Sequence, residues 1–494
     1  MEPRFRSFDR DQMFLLPPDV REWLPPGHAA LFVSEMVEAL DLSEFVAKYE
    51  SSPDRGRPAY HPQVMVGILL YASMTAVMSS RRIERLLATD AGFRVVAANE
   101  RPDHVTICRF LRRHRAALEG LFAQVVGLAA EAGLIDPTLV AVDGTKMAGD
   151  ASKSSNETLG VLRQRFSGWA DTVEDNDRAD DEAEQSDPDR GPVPEMADRS
   201  SMREWIQRRL RERATEADDR RMNVVDPDSG LMPRSGGGWI QGYNAQAAAT
   251  GGGIVVAADV TATPVDSQVL DHMVRRIGDA VAAATGEPAG VVVADAGYWD
   301  TDTIDRLEAD PDLPDVLVAT GRKSPETVPD PLPEDDPDTY REERAAYERA
   351  RHEERARRIE VLARVVAGEL SARDAAEILG LSVPRVYELK NCWIEHDGPD
   401  AIPLPASKKW RPPKRPPTPT RATRARHAMD TRLASPAGRS LYRQRQAIIE
   451  PVFGDIKTNR RTTRFLRRGT ENVRAEWHWI LTGHNLTILH THSP

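Results

Sequence analysis

Apolar positions divide the chain into regions of different period. Over residues 1–135 they recur three and four apart, in ALFVSEMVEAL and again in LEGLFAQVVGLAAEAGLI, which predicts amphipathic helices. Between them, HPQVMVGILLYASMTAVM is apolar on all sides and predicts a buried helix, with SSRRIERLLATD an amphipathic one after it. In RPDHVTICRFLRRHRAAL, Pro102 and Asp103 form a start signal for a helix carrying Arg109, Arg112, Arg113 and Arg115. A short helix, a turn and an Arg-studded helix outline a helix-turn-helix that contacts DNA. The alternative is a helical bundle with a solvated basic face.

At Leu139 the period changes. LVAVDGTK is a short apolar run rich in β-branched residues, read as a buried strand that delivers Asp143 to its C-terminal edge. WIQGYNAQAAA and GGGIVVAADVTATPV predict two adjacent strands, and SQVLDHMVRRIGDAVAAA an amphipathic helix. AGVVVADAGYWD predicts a strand ending at Asp295, and DVLVATGRK another. Strands and helices in this order predict a mixed α/β sheet.

Two proline-rich stretches, from Pro325 to Pro337 and from Pro403 to Pro419, read as linkers. Between them, SARDAAEILGLSVPRVYELK has Ser371 as a cap, a turn at Gly380 and a second helix capped by Ser382. This predicts an inserted helix-turn-helix module with Arg385 on its second helix, or else a helical spacer for oligomerisation. ENVRAEWHWILTGHNLTIL at the end of the chain predicts an apolar helix that packs on the sheet.

Charge changes the picture by its distribution. The 494 residues carry a formal net charge of -11, yet residues 401–494 hold 19 Lys/Arg against 5 Asp/Glu. Such asymmetry points to polyanion binding in the tail. Residues 171–190 contain ten acids and two bases and predict a disordered insertion. Cys108 and Cys392 are too isolated for a zinc knuckle or a disulfide framework and fit a reducing, cytoplasmic setting. The charged start MEPRFRSFDR lacks a signal-peptide pattern, and the apolar run 64–78 falls short of the roughly 20 residues of a membrane span. No nucleotide-binding glycine motif occurs.

Three acids stand out by context. Asp143 and Asp295 end apolar runs, and Glu450 lies beside Ile448, Ile449, Val452 and Phe453. Acids in apolar surroundings need a compensating cation. Converging at a sheet edge, they would offer hard oxygen ligands to Mg²⁺ or Mn²⁺, with two ions about 3.5–4 Å apart. Each acid alone also reads as a strand-end cap or turn residue. Asp150 and Asp300, beyond the strand ends in loops or at helix starts, and Asp455, after Gly454 and off the apolar face, are rival acids.

VAVDGTKMAGDASKS, VVVADAGYWD and YRQRQAIIEPVFGDIK resemble, in this order, the three acidic regions of the DDE-type transposases of bacterial insertion sequences. HPQVMVGILLYASM, SSRRIERLLATD and PDHVTICRFLRRH are similar to the helical domain that precedes the core in one branch, and VVDPDSGLM and GYNAQAAA also match. The resemblance implies a ribonuclease H-like core, a metal-binding triad of Asp143, Asp295 and Glu450, and Lys457 as a phosphate contact. The family often places a Tyr, an Arg and a Lys around the Glu. Here Tyr442 and Arg445 are each displaced by one position, with Gln446 standing where related branches have Arg. Arg460, Arg461 and Arg464, in the basic run that also holds Arg467 and Arg468, would follow the DNA backbone. KKWRPPKRPP would add a basic arm.

The sequence thus predicts an α/β protein: a ribonuclease H-like mixed sheet with an all-helical N-terminal domain and an inserted helical module. Its parts are a DNA-binding domain (1–135), a first core segment (136–323, with an acidic insertion at 165–200), the inserted module (324–420) and a final core segment (421–494). The expected activity is transposition, by metal-dependent strand cleavage and transfer at terminal inverted repeats by a homodimer, with no membrane or nucleotide involved. The competing readings are a metal-dependent nuclease of the same fold and a non-catalytic helix-turn-helix regulator.

Overall fold

The computed structural model describes residues 19–50, 58–167, 199–234, 237–321, 329–330, 337–396, 398–403 and 419–493. The chain forms two compact units, one from Met1–Pro329 with Ala428–Pro494, the other from Asp330–His427. The expected acidic insertion and the arm KKWRPPKRPP fall largely or wholly outside the described residues.

Among the described residues of the first unit, seven α-helices precede the sheet: α1 (Ala29–Ala39), α2 (Ser43–Glu50), α3 (Pro62–Met74), α4 (Ser80–Thr89), α5 (Ala91–Val96), α6 (His104–Arg113) and α7 (Arg115–Glu131). The evenly apolar α3 is buried over most of its length, whereas α4 buries only Ile83 and Leu87. Asp103 caps α6 by accepting from Thr106 N at 2.6 Å. The Arg-studded helix is shorter than expected. It stops at Arg113, His114 intervenes, and Arg115 begins α7 and bonds Asn472 at 2.9 Å.

The sheet contains β1 (Leu139–Ala148), β4 (Gly230–Pro233), β5 (Trp239–Thr250), β6 (Val255–Thr261), β7 (Val291–Ala294) and β8 (Asp315–Val318), while β2 (Asn156–Thr158) and β3 (Arg221–Asn223) pair separately. Its main order is β6–β5–β1–β7–β8, with β4 beside the start of β5. β5 runs antiparallel to β1 and β6, whereas β7 is parallel to β1 and β8 to β7. The expected strands are present; β2 and β3 escaped notice because they are only three residues long, and β4 (GLMP) because it lacks the β-branched run of β7 and β8. Helices α8 (Leu159–Ser167) and α9 (Arg199–Glu212) form a small satellite core with β3 through Leu162, Ile206, Leu210 and Met222. Helices α10 (Leu270–Thr285) and α11 (Thr301–Glu308) connect later strands.

Toward the end of the chain come α15 (Arg421–Ala434), which begins in the second unit, then α16 (Pro436–Gly454), a π-helical turn at Asp455–Asn459 and α17 (Thr470–His492). α17 packs against α7, α3 and β6 at once. Trp477 Nε1 donates to Gln246 O at 2.8 Å, and Trp479 Nε1 donates to Leu69 O at 2.7 Å. At Gly483 the backbones approach so closely that a Cβ would stand 2.5 Å from the carbonyl carbon of Ser73. One hydrophobic core therefore runs from α1 to α17, and helices α1 to α7 are a layer of that core.

In the second unit, α12 (Pro337–Val366), α13 (Ala372–Leu379) and α14 (Val383–Glu395) enclose Leu362, Val365, Ala375, Val386 and Leu389. Ser371 Oγ accepts from Asp374 N at 3.1 Å, and Gly380 ends α13 at φ 60°, the left-handed region that favours glycine. This is the expected helix-turn-helix pattern. Among the described residues, no helix is long and apolar enough to cross a membrane.

Asp226 ties β5 to the start of α17, accepting from Tyr243 Oη at 2.9 and 2.7 Å and from Gly469 N at 3.2 Å. Burial pushes its carboxyl up to about 6. A carboxyl raised on folding stabilises the fold below its unfolded pKa and loses that contribution as pH rises through the folded value. Between pH of about 4 and 6, wild type should lose roughly 2–3 kcal/mol relative to Asp226→Asn, measured by urea midpoints across that range. A constant difference between the two proteins would contradict this.

Candidate active site

β1 was expected to end near Asp143, but it continues to Ala148 because β5 pairs with it as far as Gly242. On the other edge, pairing with β7 stops at Ala141 and Val293. Asp143 therefore lies at a notch where β1 and β7 part. Continuing the parallel register by two residues brings Asp295 opposite Asp143. Asp295 follows β7 and caps the 3₁₀ turn Ala296–Tyr298, accepting from Gly297 N at 2.8 Å.

Burial pushes the Asp143 carboxyl up, and the negative charge of Asp295 acts in the same direction. Arg445 opposes both. Its Nη1 lies 3.2 Å from Asp143 Oδ2, while Gly144 N donates to Oδ1 at 2.7 Å. Arg445 reaches this site because it shares the buried stripe of α16 with Ile448, Ile449 and Val452. Tyr442, one turn earlier, is half-buried near the same charges; burial above all raises its hydroxyl's pKa, with Asp295 and Asp143 adding to the shift. Lys457 donates to Thr145 Oγ1, two residues along the same face of β1 from Asp143. Burial first, then the charge of Arg234, lowers the Lys457 ammonium.

Glu450 sits on α16 between Arg445 and Lys457, but its side chain is exposed while its apolar neighbours are buried. Among the described residues it forms no hydrogen bond or ion pair with Asp143 or Asp295, and no three His, Cys, Asp or Glu side chains gather closely enough to hold a metal. The structure thus joins two expected acids with Tyr442, Arg445 and Lys457, and leaves Glu450 facing outward on the helix that carries two of them. α16 runs through Pro451 without a restart; the irregularity comes later, as the π turn.

The basic run behaves unevenly. Arg460, expected on the DNA backbone, is instead an internal anchor. Its Nε donates to Asp455 at 2.6 Å, Nη1 to Ser73 O at 2.8 Å, and Nη2 to Gly483 O at 3.2 Å and Thr487 at 2.7 Å. A guanidinium saturated in this way has no donors left for a phosphate. Arg461 is exposed, and Arg464 pairs with Asp150 at 2.6 Å. On α6, Arg109 and Arg113 are exposed and Arg112 is half-buried, with Arg113 5.1 Å from the Tyr49 ring centre. Arg385 is exposed in the second unit and pairs with Glu388 at 2.5 Å.

The rival acids have separate tasks. Asp300 caps α11, Asp455 is bound by Arg460 and His484, and Asp150 pairs with Arg464 and Arg468. Sequence reasoning missed Thr145, Lys146 and Asp266, which stand beside the acids. Their one signal was the alternation of Asn244 and Gln246 with alanines in β5, which leaves two amides on one face of a buried strand.

Residues 18–113 match the model of a transposase domain (DUF772), and residues 410–490 match the model of a transposase DDE domain. The chain is therefore similar to transposase domains toward both ends. That pairing is consistent with a DDE transposase of an insertion sequence. Neither a curated protein nor a solved structure matches the chain.

Three substitutions test this geometry. Arg445→Gln removes the cation beside Asp143, so the folded carboxyl titrates still higher and its charged form destabilises the variant as pH rises. The variant should be less stable than wild type by about 1–3 kcal/mol at pH of about 8 and by clearly less at about 5, read from urea midpoints. An equal deficit at both values would refute the charge argument. Separately, Arg460→Ala should lower stability by about 2–4 kcal/mol, whereas Arg461→Ala should leave stability unchanged and reduce the salt slope of DNA binding by about 1. Fluorescence anisotropy at several salt concentrations, together with melting curves, distinguishes these roles.

Proposed function

We propose that the protein catalyses DNA transposition, cutting strands at the ends of an insertion sequence and joining the freed 3′ hydroxyl to target DNA. The observation that carries this reading is the meeting of Asp143 and Asp295 with Tyr442, Arg445 and Lys457, the last three from the segment matched as a transposase DDE domain. The sheet order, with three antiparallel strands followed by two parallel ones, supports a ribonuclease H-like core.

The donor set suits hard divalent cations. Asp295 lies within electrostatic reach of Asp143, and burial first, with that negative charge adding to it, raises Asp143, a deficit that a cation would relieve. Asp143 and Asp295 would hold Mg²⁺ or Mn²⁺, with two ions in this reading, and Glu450, exposed on α16, would join them only by turning inward. When bound, the metal would polarise the scissile phosphate and lower the pKa of water. Arg445 favours the charged form of Asp143 against its burial. Lys457 and Tyr442 stand where a phosphate beside Asp143 would be gripped, and Arg461 and Arg464 extend that grip along the strand. Arg109, Arg112 and Arg113 on α6 and Arg385 on α14 would bind DNA through the two helix-turn-helix elements, with element ends and target DNA as substrates. Joining two ends would require a homodimer.

The test is Mg²⁺-dependent strand transfer on labelled cognate ends, comparing wild type with Glu450→Gln. Transfer should fall by about 100-fold or more, roughly 3 kcal/mol of barrier. Unchanged transfer would overturn the assignment of Glu450. Cut DNA without joined products would show a nuclease instead.

A further inference from the structure

The face of β1 opposite Asp143 carries a second polar network. Strand alternation turns Gly144 and Lys146 to that side, paired with Gln246 and Asn244 of β5. Lys146 Nζ stands 3.0 and 3.2 Å from the two oxygens of Asp266. The Oδ1 of Asp266 also accepts from Asn244 Nδ2 at 2.6 Å and from Gln246 Nε2 at 3.0 Å. Asp266 opens the 3₁₀ turn Asp266–Gln268, which packs on the turn capped by Asp295. From that second turn, the buried Tyr298 hydroxyl donates to Gln246 Oε1.

The clearances are small. A Cβ on Gly297 would lie 3.0 Å from Asp295 Oδ1 and 3.4 Å from Asp266 Oδ2. A Cβ on Gly144 would meet Gln246 Nε2 at 2.3 Å and Asp266 Oδ1 at 2.8 Å. Asp266 is therefore separated from Asp295 by little more than one backbone residue, and it presses on the residue that follows Asp143.

We propose that Asp266 is a positioning residue of the candidate active site, which with Lys146 locks the turn bearing Asp295 against the strand bearing Asp143. This rests on the functional reading above, in which those two acids hold the metal. An unpaired third carboxylate would add to the repulsion between Asp143 and Asp295; Lys146 neutralises it, so Asp266 supplies rigidity without extra negative charge. Three donors on one carboxylate leave it little rotational freedom, and the amides that hold it belong to the strand paired with β1. Groups that orient metal ligands in this manner are worth about 10–100-fold in metal affinity.

The experiment is a Mn²⁺ titration of the full-length protein without DNA, followed by electron paramagnetic resonance, with urea midpoints measured on every variant. Asp266→Asn and Lys146→Met should each weaken Mn²⁺ binding by about 10–100-fold. Lys146→Arg, which keeps the ion pair, should retain most of the wild-type affinity. Folded Asp266→Asn and Lys146→Met proteins with wild-type affinity would overturn the positioning role alone. Wild-type protein that binds no Mn²⁺ would overturn the functional reading, and this inference with it.

Discussion

A negative charge on an interior strand has to be compensated, and Asp143 is the point around which the first unit is arranged. The strand that bears it lies inside the sheet, and although its pairing with β7 ends two residues before Asp143, burial still favours the protonated acid. The compensating cation is Arg445, 302 residues further along the chain. Docking α16 on the sheet is thus an electrostatic requirement as well as a hydrophobic one. The buried stripe of Ile448, Ile449 and Val452 holds the helix down, and Arg445 emerges from that stripe at the notch between β1 and β7.

Such distant pairing explains why an entire second unit can stand between β8 and α16. Closing a longer loop costs entropy only logarithmically. The second unit moreover has its own core, centred on Leu362 and Ala375, and so is not a floppy tether. Its insertion leaves the docking of α16 to be decided by contacts within the first unit. α17 then completes that unit: it bonds the backbone of α3 through Trp479 and the backbone of β5 through Trp477, fixing the helical layer and the sheet together.

Legibility in the sequence followed the physics of each signal. Period and apolar runs are local properties, so α3, β1, β5 to β8 and the helix-turn-helix of the second unit could be read directly. Short strands such as β2 and β3 lack the length for a period. Asp143 and Asp295 were legible because an acid at the end of a β-branched run is out of place. Asp266 was not, because TPVDS reads as an ordinary helix approach and its partner Lys146 lies 120 residues away. Arg460 misled for the same reason. Its place in a basic run suggests solvent, while its five donors are consumed by Asp455, Ser73, Met74, Gly483 and Thr487.

The charge of the C-terminal segment has to be read accordingly. Its excess of basic residues is not one continuous surface for a polyanion. Arg445, Arg460 and Arg474 answer Asp143, Asp455 and Asp259, and Arg467 lies against Trp479 beside the buried Glu476. Several of these acids come from elsewhere in an otherwise acidic chain, so the asymmetry partly measures internal pairing across the fold. What distinguishes the candidate site is the alternation of β1. Asp143 and Thr145 face the Arg445 and Lys457 side, while Gly144 and Lys146 face Asp266. A slip of one residue in that strand would exchange the two sets and bury Asp143 against the Asp266 carboxylate. The full-length pairing of β1 with β5 opposes that slip, and so the longest register in the sheet also keeps the site's charges on their proper sides.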